Sequence, residues 1–242
     1  MSIKSFVRKI VYGHKASSND YVNYLRQLGV EIGKDCIFYG PNNTYVDVQY
    51  PWMISIGDHV RITHGVVILT HDFSWSVLKK MRMANTFPGG IYGASGKVKI
   101  GNNVFIGVNA IITRNVTIGD NVIIGTGSIV TKDCPSNGVY VGNPAKYIMS
   151  VEEYYQKRAK LQMEEAKELV LEYYKKYGKK PEMSVLNEYF MLFADPNVIK
   201  ENVKFDNQMH LCSNYDESVV FVSQTKRPFA DYEEFLTYCF DK

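Results

Sequence analysis

Between Val98 and Pro135 the chain repeats every six residues. Written from Ile100 it reads IGNNVF, IGVNAI, ITRNVT, IGDNVI, IGTGSI, VTKDCP. The first place of each hexad holds a β-branched aliphatic (Ile100, Ile106, Ile112, Ile118, Ile124, Val130), and the fifth a small or medium residue (Val104, Ala110, Val116, Val122, Ser128, Cys134). Glycine or threonine fills the second place, and glycine serves where φ must be positive or backbones crowd. Such a short, fixed period predicts a β-solenoid: six residues per flat face, three faces per coil of about 18, and a triangular prism with the first-place aliphatics stacked inside. The phase starts earlier, in Ile32, Phe38, Thr44, Tyr50, Ile56, Ile62 and Ile68, loosely between 40 and 52. It breaks after Ile68, because Ile100 stands 32 positions on, which is no multiple of six. Residues 73–97 are therefore an excursion from the prism, and a long loop inside a regular solenoid points to function.

Outside the prism the pattern is helical. SIKSFVRKIVY (residues 2–12) predicts a short basic amphipathic helix. Ser18 opens a second helix with Tyr21, Val22, Tyr24, Leu25 and Leu28 at helical spacing, stopped by Gly29. Residues 151–177 lack Gly and Pro and predict a long helix, ended by Gly178 and Pro181. A further helix is expected over Glu182–Ala194, a strand in VVFVS (219–223) and a last helix over Asp231–Phe240. The expected domains are a helical segment at 1–30, the solenoid at 31–148 and a mainly helical extension at 149–242.

Composition narrows the classes. A net charge of +3 over 242 residues is too small to argue for nucleic acid. No apolar run approaches the ~18 residues that span a bilayer, and the first residues lack the continuous apolar core of a signal peptide. The cysteines at 36, 134, 212 and 239 form no CxxC pair, so free thiols in the cytoplasm are expected. His59, His64 and His71 raise a zinc site like that of γ-class carbonic anhydrases. They fall within less than one coil, however, and would point from different faces.

The repeats, followed by GNPAK (Gly142 to Lys146), closely resemble the hexapeptide-repeat acyltransferases. The stretch ILTHDFS (Ile68 to Ser74) is most similar to their sugar O-acetyltransferases, of the maltose and galactoside acetyltransferase kind. The resemblance covers roughly residues 18–148. It implies a mainly β fold, a left-handed parallel β-helix; periodicity alone does not give the hand, and the general preference is right-handed. It also implies acetyl-CoA as donor, no metal, and a homotrimer with active sites between subunits, the excursion reaching towards the neighbour's site.

Moving an acetyl group from a thioester to a sugar hydroxyl needs a base for the hydroxyl proton, donors for the oxyanion, and a groove for the long donor. Imidazole suits the first task near neutral pH. By the resemblance His71 is the catalytic base. Asp72 and Asp47 are both candidates to orient it; Asp72, next along a strand, points to the opposite face unless the chain bends. Asn43, Tyr45 and Trp52 share the acceptor neighbourhood with Asp47. On the donor side, Gly107–Val108–Asn109 matches the segment whose backbone N–H faces the thioester carbonyl. Gly125–Thr126–Gly127 matches the turn that holds the pantetheine arm. Thr131–Lys132 and Asn143–Pro144–Ala145–Lys146 match the end that meets adenine and phosphates. Phe105 and Met149 stand where relatives carry Trp and Arg. Lys79, Lys80 and Arg82 could contact phosphate or an acidic acceptor. The expected function is O-acetylation of a sugar in surface-polysaccharide biosynthesis. An N-acetyltransferase acting on an amino sugar and a non-catalytic solenoid scaffold or sugar-binding module are the alternatives. Membrane contact is expected only if the acceptor is lipid-linked.

Overall fold

The computed structural model describes residues 3–82 and 87–241, with side chains from residue 6 onwards. Ser2 of the predicted first helix and residues 83–86 of the excursion lie outside the described residues. The chain forms two compact units, Met1–Tyr154 and Tyr155–Lys242.

The first unit is a parallel β-solenoid with three faces. The first face stacks Glu31–Ile32, Ile54–Ile56, Val98–Ile100 and Val116–Ile118. The second stacks Ile37–Phe38, Val60–Ile62, Val104–Ile106, Val122–Ile124 and Gly138–Val141, and ends with Lys146–Ser150, which pairs antiparallel. The third stacks Tyr45–Val46, Val67–Ile68, Ile111–Ile112 and Ile129–Val130. In the regular coils Val104 pairs with Val122, 18 positions on. All six first-place aliphatics from Ile100 to Val130 are at most 2% exposed. Each such side chain contributes on the order of 1.5–3 kcal/mol by leaving water, and the stacking of like on like keeps the register.

Glycine and asparagine divide the corner work. At the second place, glycine serves close approach rather than positive φ: a Cβ on Gly107 would lie 2.6 Å from Thr126 N and 2.8 Å from Gly125 C in the next coil. The left-handed turn falls instead on the fourth place, where Asn103, Asn109, Asn115 and Asn121 have φ of 52–59° and Gly127 has 68°.

The first coil is longer than the regular ones. Ile37 pairs with Arg61, 24 positions on, and Tyr45 with Val67, 22 positions on. Two extra residues precede the third face and four follow it. Together they make one hexad, which keeps Phe38 and Ile56 in phase across the irregular stretch. Thr44 and Tyr50 are not the ladder residues the sixfold count suggests. Val46, 3% exposed and paired with Ile68, takes that place, and the four extra residues carry Asp47 to Tyr50 around the corner where the third face meets the first.

The excursion leaves that same corner one coil later. Ser55 pairs with Lys99, 44 positions on, so 26 residues are inserted. A short antiparallel ladder, His71–Asp72 with Ala94–Ser95, closes its base. Two helices precede the prism: α1 (Ile3–Tyr12) and α2 (Ser18–Leu28), the latter capped by Ser17 and ended by Gly29 at φ 106°. A third, α3 (Trp75–Lys80), lies in the excursion.

The second unit is helical. It holds most of α4 (Val151–Tyr177), then α5 (Pro196–Glu201), α6 (Val203–Met209), α7 (Tyr215–Gln224) and α8 (Tyr232–Phe240). Its core is an aromatic cluster: Phe193 lies 5.3 Å from Phe235 and Phe190 4.9 Å from Phe205 between ring centroids. Two expectations fail here. Residues 219–223 form part of α7, not a strand; the β-branched preference of Val219, Val220 and Val222 is weak against context, and the described residues of the second unit hold no strand to pair with them. The helix expected over 182–194 resolves into 3-10 turns at Met183–Leu186 and Phe190–Leu192, which aim Phe190 and Phe193 into the cluster.

Candidate active site

The corner between the third and first faces gathers the acid–base chemistry. His71 follows the third-face strand Val67–Ile68, and its Nδ1 lies 2.5 Å from Asp47 Oδ2. The Asp47 side chain is 2% exposed and that of His71 27%. Asp47 also accepts from Thr70 N (3.0 Å), Thr70 Oγ1 (2.6 Å) and Gln49 N (3.1 Å). Burial pushes the Asp47 carboxyl up, but these hydrogen bonds, with that of His71, outweigh it and hold the group below the usual carboxylate range. An ionised carboxylate only accepts, so in the neutral imidazole the proton sits on Nδ1 and the lone pair on Nε2. Nε2 has no hydrogen-bond partner among the described residues. The Tyr50 ring meets the imidazole edge-on at 5.8 Å, and Trp52, 68% exposed, meets Tyr50 at 5.8 Å.

Asp72 does not orient His71. Its Oδ1 accepts from Ser74 N (2.9 Å) and Ser74 Oγ (2.5 Å), and its Oδ2 accepts from Arg114 Nε (2.9 Å). These bonds lower its carboxyl to about 2. The pleat turns its side chain away from the imidazole and ties the root of the excursion to the next coil. Asn43 and Tyr45 lie earlier on the first coil: Asn43 N donates to Gly40 O, and Tyr45 projects outward beside Val67.

The donor-side residues stack along the corner between the second and third faces. Gly107 N donates to Ile124 O and Asn109 N to His64 O, which leaves the Val108 N–H without a partner among the described residues. One coil on, Gly125 N and Gly127 N are bonded to Tyr140 O and Val108 O, and the Thr126 N–H is likewise open. The segment Asn143–Pro144 continues this column, anchored where Ile129 N donates to Gly142 O and Ala145 N to Ile129 O. Lys146 is exposed at the start of the last strand. Thr131 and Lys132 are exposed at the other corner, on the side of His71. His71 and Val108 thus stand at two different corners of one prism.

A family model described as Bacterial transferase hexapeptide (six repeats) matches residues 97–132. Over 131 residues the chain is 48% identical to Protein CapG of Staphylococcus aureus, spanning 54% of this chain and 71% of CapG. The chain belongs to the hexapeptide-repeat acetyltransferases. It is also 32% identical over 107 residues to the Putative acetyltransferase YvoF of Bacillus subtilis (strain 168), spanning 44% of this chain and 54% of YvoF. Among solved structures, a maltose O-acetyltransferase from Clostridium difficile 630 is similar at 30% identity and a TM-score of 0.38, over 60% of this chain and 81% of that one.

In this hexapeptide-repeat acetyltransferase, sequence spacing misses three residues of the His71 corner. Thr70 (fully buried), Gln49 and Tyr50 all act through the extra residues of the first coil, which a sixfold count passes over. The signal that could have found them is the inserted hexad itself. The three histidines of the zinc alternative occupy three different corners: His59 before Val60, His64 after Ile62, and His71 after Ile68. Within one subunit a single ion cannot be shared between them.

Proposed function

We propose that the protein transfers an acetyl group from acetyl-CoA to a sugar hydroxyl in surface-polysaccharide biosynthesis. The observation that carries this reading is the buried Asp47 fixing His71 Nδ1 at a corner of the prism while Nε2 stays open. In the mechanism, Nε2 takes the proton of the acceptor hydroxyl as its oxygen attacks the thioester carbonyl carbon. The Val108 N–H, without a partner among the described residues, donates to the oxyanion that forms. Collapse breaks the C–S bond, and the departing thiolate recovers the proton from Nε2. Asp47 steadies the imidazolium between these steps. Tyr50 and Trp52 offer ring faces to the sugar, with Asn43 and Tyr45 at the rim. Lys132 and Lys146 are point charges for the donor's phosphates, with Lys79, Lys80 and Arg82 exposed on the excursion.

A homotrimer fits this chemistry. With His71 and Val108 at separate corners, one subunit's base would meet another subunit's oxyanion donor. The outward residues support association: the second and third faces present Phe105, Ile123, Val67, Ile111 and Ile129, while the first presents Ser55, Lys99 and Thr117. The excursion adds exposed Phe73, Phe87 and Tyr92, 66%, 96% and 68% exposed. We take the coils to be left-handed, as the resemblance implies. A cytoplasmic setting agrees with four unpaired cysteines, and no helix among the described residues is long and apolar enough to cross a membrane.

Thiol release from acetyl-CoA, measured over a panel of sugars, nucleotide-sugars and glycans, tests the reading. One acceptor hydroxyl should be acetylated and His71→Ala should lower the transfer by roughly 10²–10⁴-fold. Acetylation at an amine would replace the hydroxyl assignment. Full activity in His71→Ala, or no transfer to any acceptor, would overturn it.

A further inference from the structure

The two helices before the prism treat their apolar stripes in opposite ways. Helix α2 buries Tyr21, Val22 and Leu25 against the first coil. Helix α1 leaves its stripe uncovered: Phe6, Val7, Ile10 and Val11 are 59%, 51%, 70% and 65% exposed. Their spacing (i, i+1, i+4, i+5) places them on one side of the helix. Basic residues accompany the stripe in the sequence. Lys4, Arg8 and Lys9 fall in α1 and Lys15 just after it, where its Nζ donates to Thr44 O, and the first acidic residue of the chain is Asp20. Asp20 meets Lys9, whose Nζ lies 3.3 Å from its Oδ1, and accepts from Ser17 Oγ at its Oδ2. In a chain of net charge +3 this density of cations is local.

We propose that α1 docks reversibly on an anionic lipid surface, its apolar stripe entering the boundary between headgroups and acyl chains and its cations meeting the lipid phosphates. An apolar stripe framed by Lys and Arg, with no acid on the helix, matches an interfacial helix in both burial and charge. A stripe meant for the prism would be covered as that of α2 is, and one meant for a protein core would not need the frame of cations. Ten residues make a weak anchor, so attachment comes and goes and falls with salt. The inference is independent of the catalytic reading, because a vesicle carries neither donor nor acceptor.

The test is cosedimentation of the full chain with vesicles of phosphatidylcholine alone, or of equal parts phosphatidylcholine and phosphatidylglycerol. Binding is expected only to the anionic vesicles. Arg8→Gln should weaken it roughly fivefold, the effect of one cation near a charged surface, and Ile10→Asp should remove it while light scattering shows an unchanged mass. Three results overturn the proposal. One is no binding to anionic vesicles; another is binding that Ile10→Asp leaves intact. The third is loss of the oligomer in Ile10→Asp, which would make the stripe a contact between copies of this chain. Circular dichroism of each variant separates these outcomes from misfolding.

Discussion

Two histidine–aspartate pairs sit at different corners of the same prism, and they are built differently. Asp47 lies 2.5 Å from His71 and Asp35 2.7 Å from His59, each through Nδ1. The carboxylates differ in what else they hold. Asp47, 2% exposed, receives only neutral donors besides the imidazole, from Thr70 and Gln49. Asp35, 33% exposed, is claimed by a guanidinium: Arg61 Nη2 lies 2.8 Å from its Oδ2 and 3.0 Å from His59 Nδ1, and Arg61 Nη1 donates to Asp35 O. Arginine never gives up its charge and has only donors. It therefore takes the negative charge that would otherwise steady an imidazolium. The Asp35–Arg61–His59 group ties the first coil to the second; the Asp47 pair leaves His71 Nε2 without a hydrogen-bond partner among the described residues. Distance alone does not separate the two.

The sharpest way to break this contrast is at the base. His71→Ala should lower kcat/KM by roughly 10²–10⁴-fold, the range for a lost general base, measured by thiol release. Asp47→Asn comes next, at roughly 10²–10³-fold. The amide NH2 can face Nδ1, which favours the tautomer with its proton on Nε2, where the base is silent. A parallel unfolding curve must show the Asp47→Asn chain still folded at assay temperature. If both variants keep full activity, the two pairs are alike and neither is a base.

At the other corner the effect should move from rate to stability. Asp35→Ala removes the carboxylate that Arg61 Nη2 meets at 2.8 Å, which should cost about 1 kcal/mol with activity unchanged within about twofold. His59→Ala, at a half-open site, should cost less than about 1 kcal/mol. Both tryptophans, Trp52 and Trp75, lie in the first unit, so their fluorescence in denaturant follows the prism alone. A large loss of transfer in either variant would sink the distinction.

How much of this was legible in the sequence follows from where period rules and where it does not. The ladder from Ile100 to Val130 was readable because every coil makes the same demand on the same phase. The corner asparagines at 103, 109, 115 and 121 sit in the same repeat, yet they can be interpreted only once positive φ falls on the fourth place rather than on the glycines. His71 was found by resemblance, not by period. Asp47 and Asp72 stayed equal until the pleat and the four extra residues decided between them. In the second unit Phe193, Phe205 and Phe235 meet from three separate segments, an arrangement with no local signature. The strand expected at 219–223 was wrong for a related reason: the β-branched preference of three valines is local, and the surrounding packing overrode it.

The smallest expected effect compares the two carboxylates under acid. Asp47 and Asp35 both titrate below the usual range: burial pushes each up, and hydrogen bonds outweigh it, led by Thr70 for Asp47 and by Arg61 for Asp35. A carboxyl depressed in the folded state adds stability that is full above its unfolded value of about 3.9. That stability is lost as pH falls through the folded value. The midpoint of prism unfolding should therefore drop as pH falls below about 4, and either Asp35→Asn or Asp47→Asn should flatten that drop. Asp72, lowered to about 2, keeps some slope in both. If Asp35→Asn retains the full acid slope while Asp47→Asn flattens it, Asp35 is not held ionised by Arg61. The staple at that corner would then need another explanation.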